Sequence, residues 1–141
     1  MEVVGGVASV IAVLGLTAKV SKLLIQYGKK VQHAKDDIAQ LQSEISRMDG
    51  ALERIRILTQ TNNVRLEATQ EMLSALLRNS ENPLAELKKK LEFSKKKKKL
   101  MRKLGLRALK WPFQAGDISR IVQNLARYSD DISLSLRIDQ T

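Results

Sequence analysis

Val31, Ala34, Ile38, Leu41, Ile45, Met48, Leu52 and Ile55 recur at alternating steps of three and four residues. That spacing puts every one of them on a single stripe of an α-helix, whereas a strand, with its period of two, would scatter them over both faces. Asp36, Asp37, Glu44, Arg47, Glu53 and Arg54 fall off the stripe, as the solvent side of a heptad seam requires. The pattern predicts a helix of some 28 residues, about 40 Å long, which must pack lengthwise on neighbours of similar length. Composition agrees. Aromatic residues make up 4% of the chain and there are two prolines, a poor supply of the residues that build and bound strands.

The rest of the chain reads the same way. A first helix is expected from about Val3 to Tyr27. After a turn at Thr61-Asn62-Asn63 with an N-cap, a third helix runs from about Val64 to Asn79, with Leu66, Met72, Leu73, Leu76 and Leu77. Asn82 followed by Pro83 is a cap with proline at the first helical position. It opens a fourth helix through about Phe93 that presents Leu84, Leu87 and Leu91. Trp111-Pro112-Phe113 forces a corner, and a last helix from about Asp117 to Ile138 carries Ile118, Ile121, Val122, Leu125, Ile132 and Leu136. The expectation is all-α: an up-and-down bundle of about five helices around the long heptad-patterned second one, in one domain over residues 1–141.

Charge divides the chain sharply. The formal net charge is +10, yet residues 28–82 hold eight bases and eight acids, while residues 83–112 hold twelve bases and two acids. Lys88, Lys89, Lys90, Lys95, Lys96, Lys97, Lys98, Lys99, Arg102 and Lys103 carry most of it. Five adjacent lysines repel one another, so residues 95–110 read as a polybasic linker with a frayed end. An anionic phospholipid surface attracts such a segment with about 1 kcal/mol per base, on the order of 6 kcal/mol if half engage. The bland reading is a solvated segment that aids solubility. Nucleic acid is disfavoured, because only Phe93 and Trp111 supply nearby stacking surface.

From Val3 to Ala18 the chain carries no charge. As a helix this stretch spans about 24 Å, short of the roughly 30 Å hydrocarbon core. Val3, Val7, Val10 and Leu14 read as a bulky face, and Gly5, Ala8, Ser9, Ala12 and Gly15 as a small one that allows close helix packing in lipid. At rest such a helix is expected to sit buried on all sides in the bundle. With Glu2 in place of a positive n-region the start is no secretory signal, and the cytoplasm is the expected compartment.

Catalysis finds little footing. There is no cysteine and one histidine, His33, and the pairs Asp36/Asp37 and Asp130/Asp131 are adjacent in sequence, so their side chains diverge on a helix. No enzyme activity, metal or cofactor is expected.

The opening VVGGVASVIAVLGLTAKVSKLL, the hexapeptide ALKWPF (Ala108 to Phe113) and the closing ARYSDDISLSLRIDQT together resemble fungal HeLo-like domains. The resemblance covers nearly the whole chain. It implies an effector domain of programmed cell death and heterokaryon incompatibility, placed ahead of a nucleotide-binding module in an NLR-like (STAND) innate immune receptor. On receptor assembly such domains form homo-oligomers, move from the cytoplasm to the plasma membrane and permeabilise it through the N-terminal helix. By position that helix is residues 3–18 here, with Val3, Val4, Val7, Val10, Ile11, Val13, Leu14 and Leu16 entering lipid. Other members of the group imply the alternative, a homotypic adaptor that signals without touching lipid, which the second helix's heptads allow. The chain ends directly after a helix, which reads as a domain excised from a longer receptor.

Overall fold

The stripes expected from spacing become the inner faces of α-helices. The computed structural model describes residues 2–61, 65–103 and 111–140, with side-chain surroundings for all of these except 2–7, 32, 61, 98 and 100–103. In chain order it contains α1 (Glu2–Lys30), α2 (Lys35–Thr61), α3 (Glu67–Arg78), α4 (Pro83–Lys103) and α5 (Ala115–Gln140), with a 3-10 turn at Gln32–Ala34 between the first two. No strand occurs among the described residues, and the protein is an all-α bundle.

All eight residues of the heptad seam are buried, the seven larger ones each worth about 1.5–3 kcal/mol of hydrophobic stabilisation. The seam is shared between two neighbours, because α2 packs along both α1 and α5. Side-chain links fix the directions. Thr17 on α1 bonds Asp49 on α2 beyond the short turn that joins them, so α1 and α2 are antiparallel. Trp111 bonds Asp37 and Arg47 bonds Asp130, so α5 runs parallel to α2. Thr69 meets Ser135 while Asn79 meets Tyr128, so α3 opposes α5. Thus α1 and α3 run one way and α2 and α5 the other, and α2 and α3 are not neighbours: α3 packs on α1 and α5, across the bundle from α2.

Two helix starts are capped by different means. Asn82 caps α4 as expected: its Oδ1 accepts from Ala85 N at 2.8 Å, and its amide donates back to the Leu76 and Asn79 carbonyls at 3.1 and 2.8 Å. One buried side chain therefore finishes α3 and starts α4. Residues 62 and 63 of the turn expected to cap α3 lie outside the described residues. The helix starts after Leu66, which offers no capping group, and Asp139 from the far end of α5 accepts from Ala68 N (2.9 Å) and Thr69 N (2.7 Å) instead. Asp139→Ala is expected to lower stability by about 1–2 kcal/mol. Urea unfolding checks this, with faster amide exchange at Ala68 and Thr69 showing that the loss is at the cap.

The polybasic segment differs from expectation. It is not a linker from Lys95 onward, since α4 continues through Lys103. Lysine is a good helix former, and its ammonium groups stay in water, where repulsion between neighbours costs only tenths of a kcal/mol. Lys90 with Glu86 and Lys88 with Glu92, each at 3.9 Å and four residues apart, offset part of it. Buried Leu84, Leu87 and Leu91 anchor the first half.

Trp111 and Phe113 form the corner before α5. Trp111 packs edge-on to Tyr27 (5.6 Å between centroids) and to Phe113 (5.1 Å), and its indole N–H donates to Asp37. Tyr27 donates its hydroxyl to the Leu91 carbonyl at 3.1 Å, which ties α1 to α4 at the same place. Burial pushes the Tyr27 phenol up, partly offset by a hydrogen bond with Ser94.

Candidate functional site

Seven residues of α1 point into the core: Val10, Val13, Thr17, Val20, Leu23, Leu24 and Tyr27. They form a single stripe, so the helix is not buried on all sides. The bulky face expected around Val10 and Leu14 is turned: Val10 is buried, but Leu14 and Leu16 are only half-buried, and Val13 takes the inner position. The reason is that α1 has neighbours only along part of its circumference, on α2, α3 and α4.

What faces solvent is the informative part. Ala8, Ile11, Ala12, Gly15 and Ala18 are exposed, and Ile11 keeps 53% of its surface open. Apart from its chain neighbours and the backbone of its own helix turns, nothing lies within 4 Å of where a Cβ on Gly15 would sit. Of the expected small face, Ala8, Ala12 and Gly15 look outward and Ser9 is half-buried. Val3, Val4, Gly5 and Val7 lie in α1 but outside the residues whose side chains are described. By length and composition Ala8–Lys30 is one helix apolar enough to cross a membrane, with a third of its most apolar window buried in the bundle.

One polar group interrupts the inner stripe. Thr17 donates to Asp49 at the α1–α2 interface. Burial pushes the Asp49 carboxyl above its ordinary 3.8; the Thr17 hydrogen bond pulls it partly back, and the Glu53 charge adds to the rise. The folded state therefore binds this proton more tightly than the unfolded chain. Stability is fullest below the ordinary value and falls as pH rises through the window just above it. Asp49→Asn, which keeps an acceptor for Thr17, is expected to raise Tm at neutral pH by on the order of 1–3 °C, small because Asp49 keeps part of its surface in water. The gain should vanish in acid, as a pH series of thermal melts will show.

The basic residues expected to act as one patch are divided around α4. Lys89 and Lys90 line a groove of about 730 Å³ with exposed Phe93, Pro112 and Arg120. There Lys90 lies 5.4 Å over the Phe113 ring, and Arg120 holds Glu86 through two hydrogen bonds of 3.0 and 2.6 Å. That pairing draws the Glu86 carboxyl below its ordinary range. Lys95, Lys96 and Lys99 lie on a different flank, beside Lys19, Lys22 and Gln26 of α1, and Lys88 is paired with Glu92. Lys97 is exposed; Lys98, Arg102 and Lys103 are on α4 outside the described side chains. The two α1 lysines stand outside the base-rich segment 83–112 and were not among the ten residues expected to meet lipid head groups. Helical position would have found them, since Lys19 and Lys22 lie on the same stripe as Ile11 and Gly15.

A family model described as "Pigment biosynthesis cluster protein PigL N-terminal" matches residues 1–138. It is a fungal-type N-terminal domain family, compatible with the resemblance described above. No curated protein and no solved structure matches the chain. With nearly every residue covered by that match, this helical bundle belongs to the PigL N-terminal domain family.

Proposed function

We propose that this domain is a cell-death effector that is cytoplasmic at rest, docks on anionic plasma membrane and permeabilises it through α1 once a receptor assembly clusters several copies. The observation that supports the reading is the outward stripe of α1, Ala8–Ile11–Ala12–Gly15–Ala18, an exposed apolar surface on a helix long enough to span lipid. Soluble proteins rarely leave such a stripe uncovered without a use for it. Lys19 and Lys22 end the stripe where phospholipid head groups would lie. The family's name speaks of a pigment cluster and of an N-terminal position, and a nucleotide-binding module further along the same receptor is part of the proposal.

Docking and insertion then separate into two steps. The outward stripe can meet lipid with the bundle intact. Full release of α1 uncovers Thr17 and six apolar core side chains, the latter at about 1.5–3 kcal/mol each, roughly 10 kcal/mol or more in all. Assembly of several copies must supply that energy. The adaptor reading loses its main support, because the α2 heptads are spent inside the bundle against α1 and α5. Dye release from phosphatidylserine vesicles is the test. Release that needs acidic lipid is expected, and intact vesicles at every protein concentration, with the protein artificially clustered, overturn the reading.

A further inference from the structure

Lys19 and Lys22 of α1 and Lys95, Lys96 and Lys99 of α4 meet around one cleft of about 290 Å³, whose wall includes buried Leu23. Among the described residues, five ammonium groups share it with a single carboxylate, Glu92. Lys95 Nζ is held by the Gln26 side-chain carbonyl at 3.2 Å, not by an acid. Among the described residues, Lys19, Lys22, Lys96 and Lys99 have no carboxylate partner within 4.0 Å. Glu92 Oε1, 3.9 Å from Lys88 Nζ, accepts no hydrogen bond. Two helices thus converge like charges on a concavity and leave the repulsion uncompensated, an arrangement that gains stability when an anion fills it.

We infer that this cleft binds clustered phosphate groups carried on a hydroxylated ring, the chemistry shared by polyphosphoinositide head groups and soluble inositol polyphosphates. Charge selects the class. A phosphatidylserine head group brings one net negative charge and leaves most of the five cations unmatched, whereas each phosphate monoester brings up to two and three acceptor oxygens. Size agrees, since 290 Å³ holds about ten water molecules and so more than one phosphate. Glu92 and Gln26 add acceptors suited to ring hydroxyls among the lysines. Among the described residues no aromatic one lines the cleft, so they offer no stacking platform of the kind single-stranded nucleic acid uses. Position agrees as well. Lys19 and Lys22 continue the outward stripe of α1, so a lipid whose head group sits in the cleft has its acyl chains beside Ile11 and Gly15. In its membrane setting the inference rests on the function proposed above, while the cleft's phosphate chemistry does not.

The test uses the whole domain with two probes: inositol trisphosphate by calorimetry, and phosphatidylcholine vesicles doped with phosphatidylinositol bisphosphate or, at matched surface charge, phosphatidylserine. Saturable binding to the trisphosphate and preference for the bisphosphate vesicles are expected. Lys22→Gln with Lys96→Gln should weaken both by about thirtyfold. Lys29→Gln with Lys35→Gln, an equal loss of charge at exposed positions away from the cleft, should change them less than about threefold. All four side chains reach solvent, so folding is unaffected and thermal melts confirm it. Trisphosphate binding without vesicle preference supports the cleft and assigns it a soluble ligand. Equal effects of the two double variants, equal binding to phosphatidylserine vesicles with no trisphosphate binding, or tighter binding to single-stranded DNA each overturn it. Dye release that persists without any bisphosphate preference sinks the cleft alone. Trisphosphate binding without dye release sinks the membrane reading alone.

Discussion

With Ile11 and Gly15 both replaced by aspartate, dye release from phosphatidylserine vesicles should fall at least about a hundredfold, because a carboxylate at the bilayer centre costs about 3 kcal/mol. Both positions are exposed, and Gly15 has open space around it, so the variant should melt within a few degrees of the parent. That separation gives the experiment its force. The core stripe of α1 is untouched, and any loss of release comes from the outward face. Release at the parental level from a folded double variant would mean that lipid never meets this side of the helix, and the proposed mechanism would go with it.

The second large effect concerns the inner stripe. Leu24 is fully buried, and Leu24→Ala should lower unfolding stability by about 2–5 kcal/mol through lost burial and the cavity left behind. If α1 must leave the bundle to open a membrane, the same substitution lowers the energy of leaving. Dye release should then be faster by at least tenfold at equal folded protein, a factor that corresponds to 1.4 kcal/mol. Loss of stability without faster release would place the action of α1 at docking and exclude its release as the slow step. Vesicle leakage time courses run beside urea titrations read both quantities from the same preparation.

Periodicity carried much of the fold. The α2 seam needed only the steps between Val31 and Ile55, and every member is buried. In α5, Ile118, Ile121, Leu125, Ile132 and Leu136 turned inward as the spacing required. Asn82 and Pro83 marked the start of α4 because cap chemistry is local. The misses share a cause in being non-local. Asp139 caps α3 across 70 residues, and no reading of the sequence around Leu66 contains that information. An apolar helix such as α1 carries little contrast between its faces, so which side turns outward is decided by the neighbours it acquires. The lysine run predicts an end to α4 only while its repulsion is weighed without the water that screens it and without the buried leucines upstream. The candidate site was legible in its residue types, the uncharged stretch and the base-rich segment. That Lys19 and Lys22 stand beside Lys95, Lys96 and Lys99 is a fact of tertiary packing alone.

The placement of α2 and α3 on opposite sides of the bundle has a consequence for synthesis. The α1–α2 hairpin closes through nearby contacts, such as Thr17 with Asp49, and can assemble early. The other flank of α2 waits for Trp111 and α5, whose links reach back 74 residues to Asp37 and 83 to Arg47. Until the ribosome delivers that last helix, half of the heptad surface has no cover, and the nascent chain offers the cell's holdase chaperones a long greasy strip to grip.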